Sequence, residues 1–204
     1  MRLQALLRPG ASEQAVSAAE SAIGVKFTHD LKGLYRLSNG AKSDQCFAGL
    51  RFMSLSELVT AWQGNFVTAQ SLGSSRIGIS SELSSVPQGA IRRCYMNSGW
   101  ISFATDGGGN YLAVDTDPDV NGTYGQIISH GRDILMMHVL GSDMAGFLDA
   151  MTHLLRSPQF DHVDPIRSLA MSLGLKVKPQ AQAARGRVKA TSGVRCRASA
   201  GSCT

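Results

Sequence analysis

The spacing of apolar residues near the start of the chain predicts a short amphipathic helix. Val16, Ala19 and Ile23 follow one another at helical spacing, so they lie on one face. Ser12 stands where an N-cap residue accepts a hydrogen bond from a free backbone N–H, and Gly24 stands where a helix commonly ends in the left-handed conformation. We therefore predict a helix between these two residues.

Capping signals predict four further helices. One runs from Thr28 to Asn39 and forms an antiparallel hairpin with the first. Another opens at the capping box 54–57, where a Ser and a Glu three residues later satisfy each other's backbone N–H groups, and runs to about Gln70. Ser142 is expected to cap a helix with a clear apolar stripe, and the segment 164–173 begins with Asp-Pro, which is typical of a helix start.

Between residues 91 and 140 the pattern changes to short apolar runs separated by turn residues, which is typical of strands. Three glycines at 107–109 predict a hairpin turn, and residues 71–89 are interpreted as a long surface loop. A further short strand is predicted at 47–52. The fold class expected is α+β, a single domain with an antiparallel sheet of about four to six strands flanked by N-terminal and C-terminal helices. The strands are predicted at 91–96, 100–104, 111–115, 125–129 and 134–140.

The charge of the chain is divided unevenly. Its formal charge is +5 over 204 residues, from 20 basic and 15 acidic residues. Residues 176–204 hold seven of the basic residues and no acidic one. Residues 1–175 therefore hold 13 basic and 15 acidic residues and carry a net charge of −2. The tail is poor in apolar residues, which predicts disorder. It is either a basic arm that contacts nucleic acid or an acidic partner, or a solvated extension. The absence of aromatic residues favours the extension.

No motif typical of a catalytic or metal site is present. The sequence lacks the nucleophile elbow, the phosphate-binding loop and the zinc-binding helix motif. Its five histidines are scattered, and its four cysteines form no Cys-x-x-Cys pair. His138 lies in an apolar run and is expected in the core. We expect no enzyme activity, no cofactor and no metal.

No apolar run reaches the roughly 20 residues that a membrane span needs, and the first residues do not resemble a signal peptide, so a cytoplasmic location is expected.

Acidic residues are concentrated around one hairpin. Asp115, Asp117 and Asp119 lie within five residues, and Asp106 lies across the hairpin from them. The spacing lacks the Gly and the Glu that an EF-hand loop needs, so calcium binding is not expected. Asp before Pro starts turns and caps N–H groups. A concentration of carboxylates on one edge of the body would also attract a basic partner. Both roles stay open, and Asp106, Asp117, Asp119 and Tyr124 are the candidate partner-binding residues.

Two blocks of sequence resemble the SUKH superfamily, which includes fungal cell-wall-assembly regulators and bacterial immunity proteins of polymorphic toxin systems. The first is a capped helix, a short hinge, and a helix ending in Leu-Tyr and Asn-Gly, at residues 9–40. The second contains Trp100, the glycine turn and the acidic run, at residues 100–128, and the helix with Phe147 matches the closing element. Thr28-His29 and Ser102 replace prolines usual in the family. The resemblance covers about residues 9–156.

The resemblance implies an α+β binding domain without shared catalytic residues. The leading hypothesis is an immunity protein that neutralises a cognate, possibly basic, toxin domain by direct contact. The alternatives are a regulatory scaffold of the cell-wall-assembly type and nucleic-acid contact through the tail. The predicted divisions are an N-terminal extension at 1–8, the domain at 9–156, a helical extension at 157–175 and a disordered tail at 176–204.

Overall fold

A computed structural model describes residues 6–42, 50–71, 76–79 and 81–156. Within these ranges it contains four helices and eight strands. The helices are α1 (Glu13–Ile23), α2 (His29–Leu37), α3 (Leu55–Ser71) and α4 (Met144–Leu155). The strands are β1 (Arg51–Phe52), β2 (Arg76–Ile79), β3 (Ser84–Val86), β4 (Cys94–Asn97), β5 (Trp100–Thr105), β6 (Asn110–Asp115), β7 (Gln126–Gly131) and β8 (Met136–Gly141).

Three of the four helices begin at the predicted capping residues. The Ser12 hydroxyl accepts a hydrogen bond from the Ala15 N–H, and Thr28 caps α2 in the same way. At α3 the capping box is reciprocal, since the Ser54 N–H donates to the Glu57 carboxylate and the Glu57 N–H donates to the Ser54 hydroxyl. The prediction for α4 was wrong by one residue. Asp143, not Ser142, is the N-cap, because its carboxylate is the group that accepts the Gly146 N–H.

The strands form a six-stranded sheet in the order β1-β5-β6-β7-β8-β3, with β2 and β4 paired in a separate two-stranded sheet. Every pairing in the large sheet is antiparallel except that of β3 with β8. The α+β, single-domain prediction is confirmed. The interpretation of 71–89 as a loop was wrong, because β2 and β3 lie there. Each is too short to show a period and pairs with a strand that is not its neighbour in the chain.

The large sheet buries apolar side chains on both faces. On one face Ile101, Phe103 and Val114 pack with residues of all four helices. On the other face Trp100 and Ile128 lie beneath the segment that contains β3 and β4, with further buried residues at Leu83, Ala90, Ile91, Cys94, Ala113, Ile134 and Met137. The sheet is therefore firmly packed. The hairpin between β5 and β6 and the loop between β6 and β7 project from its opposite ends, because they lie at the two ends of β6.

The glycine turn between β5 and β6 has the predicted conformation. Gly107 and Gly109 have φ angles of 76° and 103°, which favour glycine. His138 is buried, as predicted, and Cys94 is a buried thiol.

The strand predicted at 47–52 is seen only at β1, since residues 43–49 lie outside the described ranges. The helix predicted at 164–173, the basic tail, Cys46, Cys196 and Cys203 also lie outside them. No helix in the described part of the chain is long and apolar enough to cross a membrane.

A buried carboxylate that the sequence did not reveal joins α1 to the start of α2. Glu20 accepts hydrogen bonds from the Phe27 N–H at 2.8 Å and from Lys26 and Lys32 at 3.3 and 2.8 Å. Burial alone would raise the pKa of Glu20, but the two lysines and the backbone N–H outweigh it and lower the pKa. The carboxylate therefore stays charged in mildly acidic solution, with its partners in place.

Candidate functional site

The loop between β6 and β7, residues 116–125, begins and ends at a buried polar pair. Asp115 is fully buried and accepts hydrogen bonds from the Asp117 N–H at 3.0 Å and from Gln126 Nε2 at 2.9 Å. The Gln126 amide also donates to the Ala90 carbonyl at 2.9 Å and accepts from the Thr123 N–H at 3.1 Å. This Asp115–Gln126 pair thus holds both ends of the 116–125 loop and the neighbouring segment before β4.

Further backbone hydrogen bonds fix the middle of the 116–125 loop. The Asp119 N–H donates to the Ala90 carbonyl and the Asn121 N–H to the Gly89 carbonyl, at 3.2 and 2.9 Å. At the start of the loop, the backbone N–H and the side-chain hydroxyl of Thr116 both donate to the Gly99 carbonyl, at 2.8 and 2.7 Å. The loop lacks regular secondary structure, yet its backbone is satisfied along most of its length. Its exposed side chains are therefore presented in a defined arrangement.

A single arginine partly neutralises the acidic residues of the 116–125 loop. The Arg92 guanidinium lies 3.1 Å from the Asp117 carboxylate and 3.6 Å from the Asp119 carboxylate, and it also donates to the Asp117 carbonyl at 3.2 Å. Asn97 donates to the other oxygen of Asp117 at 2.9 Å. All three charged side chains are partly exposed. The net charge of this cluster is −1, so its pull on a basic partner is weaker than the sequence suggested.

Asp106 does not join this cluster. It lies in the β5–β6 turn, at the opposite end of β6 from Asp115, and its carboxylate accepts from the N–H groups of Gly108 and Asn110 at 2.7 and 3.0 Å. The Asn110 side chain links it to Asp133 of the β7–β8 turn. The expected grouping of four carboxylates on one edge was therefore wrong, because β6 separates them. Whether Asp106 contacts a partner stays a prediction.

Two large apolar side chains project from the 116–125 loop. The exposed fraction is 88% for Val120 and 60% for Tyr124, and both stand beside the charged cluster in sequence. Tyr124 was a candidate from the sequence, whereas Val120 was missed. The signal that could have found it is an apolar residue placed inside a polar turn, between Asp119 and Asn121. Exposed apolar residues ringed by charges are typical of protein-binding surfaces.

An open groove of about 370 Å³ lies beside the β5–β6 turn. An ion pair between Arg51 and Glu57 forms part of its wall, and Tyr111 forms another part. Burial alone would raise the pKa of Glu57, but the hydrogen bonds from Ser54 and Arg51 outweigh it and lower the pKa. Because the two charges neutralise each other, the groove has no strong preference for a cation or an anion. Its lining is completed by Met53, Ser56, Thr60, Ala61, Thr105, Gly107 and Gly109.

One serine and histidine lie within hydrogen-bond distance of each other. Ser102 Oγ is 3.0 Å from His130 Nε2, and the imidazole packs against the rings of Trp100 and Tyr111. Burial lowers the pKa of His130 to about 3, so the ring is neutral and a poor proton acceptor at neutral pH. This pair does not resemble an activated nucleophile. Over the described ranges, no three His, Cys, Asp or Glu side chains converge as metal ligands.

Comparison with known proteins identifies relatives. The model of the SMI1 / KNR4 family (SUKH-1) matches residues 10–150. The cell wall assembly regulator SMI1 of Saccharomyces cerevisiae is 26% identical over 194 residues, covering 79% of this chain and 38% of that protein. A KNR4/SMI1 homolog of Kluyveromyces lactis is 44% identical over 64 residues, covering 31% of this chain and 12% of the relative. A glucan synthesis regulatory protein of Neurospora crassa is 42% identical over 73 residues, covering 36% of this chain and 14% of that protein. The matches thus span well under half of each relative.

Proposed function

The chain belongs to the SMI1/KNR4 family (SUKH-1), and on this basis we propose that it is a regulatory domain that acts by binding another protein and catalyses no reaction. The relatives are named as regulators of cell wall assembly and of glucan synthesis. These names fit the regulatory alternative from the sequence better than the immunity hypothesis. Neutralisation of a toxin is a narrower form of the same activity, and no finding supports it.

The observation that carries the proposal is the 116–125 loop. Its backbone is held by the Asp115–Gln126 pair, while Val120 and Tyr124 stay exposed. A binding surface loses less conformational entropy on association when it is already ordered, and this favours affinity. Tyrosine is also enriched among the residues that contribute most to protein–protein binding. Arg92, Asp117 and Asp119 supply the polar rim that such surfaces usually have.

The properties of Ser102 and His130 support a binding role over a catalytic one. A catalytic histidine needs a pKa near the working pH, and that of His130 is about 3. The groove beside Arg51 and Glu57 holds a charge-compensated pair, which lacks the unpaired, activated group that catalysis would use. Nucleic-acid contact would rest on the basic tail, which lies outside the described ranges.

Replacing Val120 and Tyr124 together by serine is expected to weaken partner binding by about thirtyfold or more, because truncation of a central residue typically costs about 2 kcal/mol or more. The wild-type chain, immobilised, would be used to recover a partner from an extract of the source organism. The dissociation constant of the purified partner would then be measured by calorimetry for the wild type and the variant.

Leu37→Ser is the matched control. Leu37 is 82% exposed at the end of α2 and is not part of the 116–125 loop, so its replacement removes a comparable exposed apolar side chain from a different element. The control should bind with wild-type affinity. Equal affinity of the double variant and the wild type, with the fold intact by circular dichroism, would show that the 116–125 loop is not the binding surface.

A further inference from the structure

We propose that the open groove beside the β5–β6 turn is a binding site for a neutral carbohydrate about the size of a disaccharide. Its volume of about 370 Å³ lies at the lower end of the range of about 300–1,000 Å³ that is usual for small-molecule sites. This inference goes beyond the proposed function, because the groove is not part of the 116–125 loop and its ligand is tested without a protein partner.

The walls of the groove are held in place by hydrogen bonds within the chain. Arg51 of β1 pairs with Thr105 of β5 in the sheet, and the capping box at 54–57 fixes the first turn of α3. The Thr105 hydroxyl accepts the Gly107 N–H at 3.0 Å and donates to the Asn110 carbonyl at 3.2 Å, so the β5–β6 turn is also fixed. A site with fixed walls loses little conformational entropy when a ligand binds.

The charges in the groove favour a neutral ligand. Arg51 and Glu57 lie 2.5 Å apart as an ion pair, and both side chains are partly exposed. The other residues that line the groove are uncharged. An ionic ligand would lose its hydration here and meet a pair whose charges already compensate each other, which is unfavourable. A ligand without charge avoids that cost.

The hydroxyl groups of the groove favour a ligand that is polar. Thr60 of α3 and Tyr111 of β6 both line the groove, and in the described part of the chain their hydroxyls have no hydrogen-bond partner. A purely apolar ligand would remove these hydroxyls and the Arg51–Glu57 pair from water without replacing the lost hydrogen bonds. Each hydroxyl of a sugar both donates and accepts, so it suits every polar group in the groove.

The ring of Tyr111 supplies an apolar surface of fixed orientation. It stacks on His130, with ring centroids 5.4 Å apart and an angle of 22° between the rings. Met53 and Ala61 add to the apolar part of the lining. A sugar ring has C–H groups on its faces and hydroxyls around its rim. It therefore matches a groove that combines an aromatic ring with hydroxyls and a compensated ion pair.

An extended peptide, which is also neutral and polar, fits the groove less well. Peptides commonly bind by adding a strand to a free sheet edge. Beside the groove the backbone is already bonded within the chain, since the Met53 N–H donates to the Phe103 carbonyl and the Ala41 N–H to the Phe52 carbonyl, both at 2.9 Å. A carbohydrate needs no free backbone edge and is favoured for this reason.

Titration of the full-length chain with maltose and with cellobiose, followed by NMR, tests the site. Both are neutral glucose disaccharides, and they differ in the configuration of the linkage. With at least one of them we expect saturable shifts of the Gly107, Gly109 and Tyr111 amides, with a dissociation constant of about 0.1–10 mM. The neutral peptide acetyl-trialanine-amide should cause no such shifts. Absence of saturable shifts with both disaccharides, or tighter binding of the peptide, would overturn the proposal.

Two conservative variants test the groove residues. Tyr111→Phe and Thr60→Val each remove one hydroxyl and keep the shape of the side chain. Loss of one such hydrogen bond should weaken disaccharide binding about two- to tenfold, and loss of both should weaken it further. Thr152→Val is the matched control, because it removes the hydroxyl of an exposed threonine on α4, which does not line the groove. Unchanged affinity in the double variant, with the fold intact by circular dichroism, would also overturn the proposal.

Discussion

Replacing Gln126 by alanine is expected to lower the free energy of unfolding by about 3–5 kcal/mol at pH 7. The substitution removes the side-chain donor to Asp115, the donor to the Ala90 carbonyl and the acceptor for the Thr123 N–H. A hydrogen bond to a charged group contributes about 1.5–3 kcal/mol, and a buried charge that loses its partner adds the cost of its desolvation. The Gln126 side chain thus joins the end of β6, the segment before β4 and the 116–125 loop.

The pH dependence of this variant distinguishes a lost charge partner from simple loss of packing. Without Gln126 the pKa of Asp115 should rise above its wild-type value of about 6, because a hydrogen bond that favours the charged form is absent. A group whose pKa is raised in the folded state loses its stabilising contribution as the pH increases. The destabilisation should therefore be smaller at pH 5 than at pH 7. Urea unfolding at both pH values measures this difference.

Asn121→Ala is the control for Gln126→Ala. Asn121 lies in the same loop, and its exposed side chain donates one hydrogen bond to the Gln88 carbonyl at 3.1 Å. Its replacement should cost about 1 kcal/mol or less at either pH. Equal effects of the two substitutions, or a Gln126→Ala effect that is the same at pH 5 and pH 7, would contradict the role assigned to the Asp115–Gln126 pair.

Replacing Phe147 by alanine is expected to destabilise the fold by about 3–5 kcal/mol. Phe147 lies on α4, is fully buried, and packs edge-on against Phe103 of β5 with ring centroids 5.9 Å apart. Removal of a buried phenylalanine loses its transfer free energy and leaves a cavity that neighbours fill only in part. Because alanine favours helix more than phenylalanine does, any loss of stability comes from packing and not from helix propensity.

Thr152→Ala tests this account on the same helix. Thr152 is exposed, and its hydroxyl donates to the Leu148 carbonyl within α4. Its replacement should change the free energy of unfolding by no more than about 0.5 kcal/mol. A Phe147→Ala effect below about 1 kcal/mol, measured by urea unfolding, would mean that α4 does not pack on the sheet as described.

The helices could be predicted because their signals are local. Each cap and each stripe lies within one element, so Ser12, Thr28 and the capping box at 54–57 indicate the starts of α1, α2 and α3 without knowledge of the fold. The same locality explains the error at α4. Two adjacent residues, Ser142 and Asp143, both qualify as caps, and only the three-dimensional geometry distinguishes them.

The missed strands and the separated carboxylates depend on contacts between distant residues. β3 pairs in parallel with β8, a partner that lies far along the chain and that no short pattern announces. Asp106 and Asp117 flank the same hairpin in sequence, but the length of β6 places them at opposite ends of the sheet. Arg92 partly neutralises the acidic loop from a different segment, so the sequence overstated the acidity of that surface.

The central claim is that the 116–125 loop is the surface that binds a protein partner. The most direct measurement is photo-crosslinking from that surface, with Tyr124 replaced by benzoylphenylalanine in the full-length chain. A second chain would carry the same replacement at Leu37, which is also exposed but lies on α2. We expect a crosslink to the recovered partner from position 124 and none from position 37. A crosslink from position 37 alone would contradict it.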